Sequence, residues 1–323
     1  MWVLPPPTTG TDTVVLPSLR AALWRLLGIC LGALTVCSAG ELIGRTLTMS
    51  GLPLAMLGRA LPTVLLHTHY GRVWFVRLGA LALLWVGWSV GHRYLHTQTM
   101  PASLLAVGAL LALTQSLSGH AADWGDMTLA VLLDWLHLLA SGLWGGGLLA
   151  LAGAVLPGAL RDRAQPRTVM ATLARRFATL ASIALAVVLL TGFANAWVQV
   201  GTVRALWATL YGRTVLVKFL LVCLVLLLGA VNHYLYVPLL QQGAGRHVAG
   251  GGLLHVIPTR WRTPAGPQGA QHWRRAVAAE GLLLMGVLLC TVLLLSGLPA
   301  RSQSHAMSGH AETVSTPVAH HGR

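Results

Sequence analysis

The chain has 323 residues, of which 55% are hydrophobic and only 9% are charged, and its mean hydropathy is +0.69. Ordinary soluble domains carry about 25% charged residues, so this composition excludes a single water-soluble core and indicates several membrane crossings. The formal net charge of +14 could suggest nucleic-acid binding, but the basic residues are scattered between apolar runs and form no continuous patch. We therefore interpret them as topology signals and contacts to membrane lipid, with no nucleic-acid partner.

Seven segments are apolar over a length that can cross a bilayer, which takes about 20 residues in a helix. In chain order they are 22–40, 73–95, 100–119, 128–153, 173–196, 213–236 and 275–298. The sequence therefore predicts an all-α fold, a polytopic transmembrane helix bundle of about seven spans.

Lysine and arginine residues predict the side of the membrane on which each connecting segment lies, because short loops rich in them stay cytoplasmic. The two largest basic clusters, at 161–176 and 246–275, are therefore placed inside. We predict an outer loop with a short interfacial helix at 41–72 and a cytoplasmic loop at 237–273. The whole chain then divides into a cytoplasmic tail at 1–21, the bundle at 22–298 and an outer His/Met-containing tail at 299–323.

The fourth span carries an acid and a histidine at helical spacing. Asp134, His137, Ser141 and Trp144 follow i, i+3, i+7 and i+10, so they share one helix face. Counted from residue 128, His137 lies roughly 14 Å deep. A charged aspartate within a bilayer costs at least about 2.5 kcal/mol, so Asp134 should face protein or water and have a partner. Two interpretations stay open: the two side chains pair only with each other, or they form a metal site or proton relay in which Asp134 orients the imidazole.

A second group of candidate ligands lies at the predicted outer surface. His67 and His69 precede the second span, and His120 precedes the fourth, followed by Asp123 and Asp126. Histidines two apart in extended backbone point the same way, so His67 and His69 could bind one ion together. The alternative interpretation of each of these histidines is a solvated loop residue that binds no ion. Imidazole and thioether donors suit copper, and the secondary metal candidates on this side are Met49, Met127, His305, Met307 and His310.

Histidines near the predicted inner side allow a haem interpretation. His92 and His96 lie four residues apart after the second span, and His233 lies near the end of the sixth. Facing histidines ligate haem b, and head-group contacts are the alternative explanation. The last two spans also contain embedded charges, Lys218 and Glu280, which enter from opposite sides and are not expected to pair directly.

Several stretches are more specific than their leucine-rich surroundings. They are YGRTVLVK, LDWLHLLASGLWGG, SGHA, THYGRVW and the closing helix WRRAVAAEGLLLMGVLLC, which contains Glu280. Together, over most of residues 60–300, the chain resembles the copper resistance D (CopD) family of bacterial inner-membrane proteins. Members of this family usually have eight spans, and the seven predicted here correspond to all but the first, which we expect this chain to lack.

The resemblance implies a copper-handling protein of the bacterial inner membrane, which we do not expect to be an enzyme. The basic loops predict a cytoplasmic N-terminus and a periplasmic C-terminus. The resemblance also implies that a small periplasmic copper carrier of the CopC type delivers the copper ion. The sequence contains no GxxxxGK[ST] phosphate-binding loop, so any transport would be passive or coupled to a gradient. Two alternatives stay open: a docking partner of the carrier with no metal in its core, and a haem b-carrying oxidoreductase using pairs among His92, His96, His137 and His233.

Overall fold

The computed structural model describes residues 12–91, 99–151, 167–231 and 267–296, and every regular element within these ranges is helical. The predicted all-α fold is confirmed. In chain order the α-helices are α1 (Asp12–Ser50), α2 (Leu57–His67), α3 (His69–Gly91), α4 (Thr99–Leu117), α5 (Leu129–Ala150), α6 (Arg167–Val200), α7 (Val203–Ala208), α8 (Leu210–Val231) and α9 (Pro267–Ser296).

The long helices are suited to a membrane by their length and apolar composition. Within α9, a shorter apolar stretch at Ala278–Leu294 coincides with the seventh predicted span. Many large apolar side chains on these helices are exposed, as expected for a surface that contacts lipid. A bundle of about seven spans is therefore confirmed. Six stretches in the described ranges qualify as full-length candidate spans: Leu19–Ser50, His69–Gly91, Met100–Leu117, Leu129–Ala150, Arg176–Val200 and Leu210–Ala230.

Helix α1 is longer than the first span predicted from hydropathy. Residues 41–50, predicted as the start of an outer loop, continue the helix. The hydropathy signal ends early because Glu41 and Arg45 follow the apolar run. The short helix expected in the rest of that loop is α2. Helix α1 begins within the predicted tail 1–21 and α9 begins within the predicted loop 237–273, so parts of both segments are helical, and their cytoplasmic position stays a prediction.

The chain divides into two compact units, residues 1–188 and 189–323, which are described separately. The first unit contains α1 to α5 and most of α6, and the second contains the end of α6 and α7 to α9. In the first unit the long helices α3, α4 and α5 run antiparallel in turn, so the C-terminus of α4 and the N-termini of α3 and α5 lie together. We call this the His69 end, after the first residue of α3.

Tryptophan side chains fix the register of α1 against α3. Trp85 Nε1 donates a hydrogen bond to Thr35 Oγ1, and Trp88 Nε1 donates to the carbonyl oxygen of Trp24, both at 3.0 Å. These bonds satisfy the indole N–H groups within an apolar interface, where an unpaired donor would be costly. The resulting antiparallel register determines which side chains of α1 and α3 meet further along, towards the His69 end.

Gly71, in the first turn of α3, allows a close approach between α3 and α2. A Cβ atom at this position would overlap the backbone of Leu65. We expect Gly71→Ala to destabilise the protein by about 1–3 kcal/mol, because relieving the overlap requires one helix to move. The measurement is the unfolding temperature of the detergent-purified protein. Gly79→Ala is the matched control on the same helix, since a Cβ there meets nothing within 4 Å, and equal unfolding temperatures for both variants would contradict the close approach.

In the second unit, α7 is a short helix that packs on the start of α8. Its first turn is capped by Thr202 Oγ1, which accepts a hydrogen bond from Ala205 N at 3.3 Å. A Cβ at Gly212 of α8 would overlap the backbone of Ala205 and Leu206, so glycine permits this contact. The helices α8 and α9 pack along each other, and this pairing buries the carboxylate of Glu280.

Candidate functional site

A buried arginine joins three helices near the His69 end of the first unit. Arg77 on α3 is 2% exposed, and its Nη1 forms an ion pair with Glu41 Oε2 on α1 at 2.8 Å. Its Nε donates to Thr114 Oγ1 on α4 at 3.1 Å, and its Nη2 donates to Thr114 O at 2.9 Å and to Ser118 Oγ at 3.1 Å. All three guanidinium nitrogens therefore have partners, which is the condition under which a charge is tolerated inside a span.

Glu41 and Arg77 are not among the site residues predicted from the sequence. Hydropathy placed Glu41 outside the first span, so its charge did not stand out as an embedded one. A usable signal was present, because the two opposite charges lie at similar distances from the segment that connects α1 to α3, about two turns into each helix. A search for opposite charges at matching depths in successive spans would have paired them.

Asp134 on α5 has a partner on the neighbouring helix. Ser116 Oγ on α4 donates a hydrogen bond to Asp134 Oδ2 at 2.8 Å, and the Ser116 side chain is completely buried. Asp134 itself is half-buried, as is His137 one turn further along α5. The pairing of α4 with α5 is also held by Trp135 Nε1, which donates to Ala109 O at 2.9 Å. The expectation that the embedded acid has a protein partner is met, and its role at a metal site stays a prediction.

His67 and His69 lie on either side of the junction between α2 and α3. His67 occupies the last turn of α2, His69 begins α3, and Thr68 between them has the extended backbone that the spacing argument required. His69 Nε2 lies 2.8 Å from Asp126 Oδ2, and both side chains are nearly half exposed. The structure therefore brings His69 to a carboxylate in the segment before α5.

His120 begins the short 3-10 helix His120–Trp124, which follows α4 at the same end. Its Nδ1 lies 3.3 Å from Asp123 Oδ2. Within the parts of the chain that the structure describes, no group of three or more His, Cys, Asp or Glu side chains is arranged to hold a metal ion. The assignment of His67, His69 and His120 as metal ligands therefore stays a prediction, and the observed geometry is one of histidine–carboxylate pairs.

The remaining ligand predictions divide into exposed methionines and residues that are not described. Met49 in the last turn of α1 is 51% exposed, and Met127 before α5 is fully exposed. The other predicted candidates lie outside the described residues: His305, Met307, His310, His92, His96 and His233.

The embedded charges of the second unit lie at different levels. Glu280 on α9 is buried, and a Cβ added at Gly229 of α8 would lie 3.8 Å from its Oε1. Lys218 is about three turns from Gly229 along α8. The expectation that the two charges enter the membrane from opposite sides stays a prediction.

These features define a class of protein. Long apolar helices with lipid-facing surfaces, a fully bonded ion pair within the spans and an acid bonded between two spans characterise a multi-pass helical membrane protein with a polar site in its bundle. Two family models match the chain: one described as copper resistance protein D-like, N-terminal domain, at residues 2–128, and one described as copper resistance protein D, at residues 171–294. The two matches together span most of the chain, which therefore belongs to the copper resistance protein D family.

A curated relative adds a second line of similarity. The copper transport protein CutJ of Bacillus subtilis (strain 168) is 31% identical to this chain over 174 residues, which cover 53% of this chain and 31% of the relative. The chain thus matches about a third of the length of that relative. No solved structure matches the chain.

Proposed function

We propose that this protein moves copper ions across the bacterial inner membrane, accepting them at the periplasmic His69 end and passing them through a site formed by Asp134 and His137. The observation that carries this proposal is the hydrogen bond from Ser116 to Asp134. This bond joins an acid in a predicted membrane span to the neighbouring helix. The acid shares a helix face with a histidine, and the chain belongs to a copper resistance family. The proposed role is transport and not catalysis.

The chemistry of the two side chains suits a metal ion in transit. Imidazole nitrogen and carboxylate oxygen are both established copper donors. A hydroxyl that holds one carboxylate oxygen fixes the orientation of the acid, as the outer hydrogen bonds of metal sites generally do. Two such donors bind less tightly than a closed four-ligand site, which suits an ion that must also leave.

The His69 end would act as the receiving surface for the ion. His69 with Asp126 and His120 with Asp123 place imidazole–carboxylate pairs at the surface, next to the fully exposed Met127. Such surface donors could take copper from a small periplasmic carrier of the CopC type, which is the partner that we propose. The clusters of lysine and arginine at 161–176 and 246–275 predict the cytoplasmic side of the membrane. The predicted topology puts the His69 end on the opposite side, which supports a periplasmic position for it.

The proposal is tested by the metal content and the visible spectrum of the detergent-purified protein. After loading with a copper salt and desalting, we expect the unmodified protein to retain copper and to show no Soret band. The double variant Asp134→Asn/His137→Ala should retain clearly less copper. A Soret band would overturn the proposal in favour of a haem-carrying oxidoreductase. Purified protein that holds neither copper nor haem would overturn it in favour of a docking role without a core metal site.

A further inference from the structure

Two sets of hydrogen bonds meet on the last turn of α4. Thr114 in the last turn of α4 and Ser118, the residue directly after α4, contact the guanidinium of Arg77 on one side of the helix. Ser116, which lies between them in sequence, points away from that side and donates to Asp134 Oδ2 on α5. One short stretch of α4 therefore separates a buried ion pair from the acid of the proposed copper site.

The end of α4 is held by groups from other helices. The last carbonyl groups of a helix have no partners within it and attract positive charge. Here Thr114 O accepts from Arg77 Nη2 at 2.9 Å, and Ser118 O accepts from Arg45 Nη2 on α1 at 3.0 Å. Gln115 O accepts from Ser118 N at 3.2 Å. Two guanidinium groups from α3 and α1 thus cap the helix that carries Ser116.

The position of Arg77 is itself fixed by Glu41. The ion pair at 2.8 Å orients the guanidinium plane so that Nε and Nη2 face α4. A planar group with several fixed donors can serve four acceptor atoms at once, whereas a lysine ammonium acts as a single point charge on a flexible stem. The bonding pattern therefore depends on arginine in particular at this position.

We propose that Arg77 is a positioning residue for the copper site: held by Glu41, it fixes the last turn of α4 so that the hydroxyl of Ser116 orients Asp134. This inference rests on the proposed function, because it explains how a contact from another helix orients Asp134, the acid of the proposed copper site. It adds α1 and α3 to the elements on which copper affinity depends. The residues that touch the ion remain Asp134 and His137.

The test is a double-mutant cycle on Arg77 and Ser116, measured in proteoliposomes as the copper concentration that gives half the maximal transport rate. We expect Ser116→Ala to raise this concentration about ten-fold, the usual cost of removing a partner that orients a metal ligand. We expect Arg77→Lys, which keeps the charge beside Glu41, to raise it roughly five-fold. If Arg77 acts through Ser116, Arg77→Lys has no further effect on half-saturation in the Ser116→Ala protein.

The outcomes separate positioning from general support of the fold. Additive effects of the two substitutions, or an unchanged half-saturation in Arg77→Lys, would overturn the positioning role. Ser89→Ala is the matched control, since Ser89 is exposed on α3 and its hydroxyl donates to Val86 O of its own helix. A failure of the proposed function looks different, because Asp134→Asn would then transport copper with normal half-saturation. That result would overturn both the copper site at Asp134 and its positioning by Arg77.

Discussion

Replacing His137 with alanine is expected to reduce copper transport into proteoliposomes by about 100-fold, while the protein inserts and purifies in normal amount. The substitution removes the only imidazole on the Asp134 face of α5. Removing a residue that binds the ion should reduce transport at least as much as removing a residue that only orients a ligand, which typically lowers metal affinity or activity about 10–100-fold. The measurement is vesicle copper by elemental analysis, corrected for the amount of reconstituted protein.

The choice of controls decides how this result is interpreted. Leu136→Ala changes the adjacent, exposed position on α5 and should transport copper normally. Asp134→Asn keeps an oxygen that can accept from Ser116 but removes the charge, so we expect it to lose transport without loss of stability. His120→Ala at the receiving surface is expected to abolish transport when the copper concentration outside the vesicles is low. Normal transport in both His137→Ala and His120→Ala would contradict the proposed pathway.

Replacing Arg77 with methionine is expected to destabilise the protein by about 3–5 kcal/mol. The substitution leaves the carboxylate of Glu41 within the helix interface without its counter-charge, and breaking one half of a buried ion pair usually costs this much. It also removes three further hydrogen bonds, two to Thr114 of α4 and one to Ser118 directly after it. Thermal unfolding of the detergent-purified protein, together with its yield from membranes, measures the effect.

The double variant Glu41→Gln/Arg77→Met distinguishes a lost ion pair from lost packing. Neutral replacement of both partners is often tolerated, so we expect it to unfold at a temperature between those of Arg77→Met and the unmodified protein. Arg72→Met is the matched control, because Arg72 lies on the same helix with an exposed side chain and its loss should change stability by less than about 0.5 kcal/mol. If Arg77→Met and Arg72→Met unfold alike, the buried network does not stabilise the bundle.

The boundary of the first span shows where hydropathy fails as a predictor. Each predicted span coincides with a long helix, because the bilayer requires a long apolar segment and this requirement is visible in the sequence alone. The first span was ended too early because Glu41 and Arg45 are charged. A charge ends an apolar run on any hydropathy scale, yet in the folded bundle Arg77 neutralises Glu41. The error therefore arises at a residue whose partner belongs to a different helix.

The candidate site was predictable in part. The helical period alone places Asp134 and His137 on one face of α5, and the cost of an embedded acid requires a partner. The identity of that partner was not predictable, because Ser116 is an unremarkable serine at the end of an apolar run. The same holds for His69, whose carboxylate partner in the structure is Asp126.

The amino-acid sequence by itself determined the membrane class, the number and order of the spans and the face of α5 that carries the acid. These properties depend on local composition and on the fixed period of the helix. Only the tertiary structure decided that Arg77 meets Glu41 and that Ser116 meets Asp134. Such pairings depend on the register between helices, since sliding one helix by a single turn moves every side chain by about 5.4 Å and replaces each partner with another.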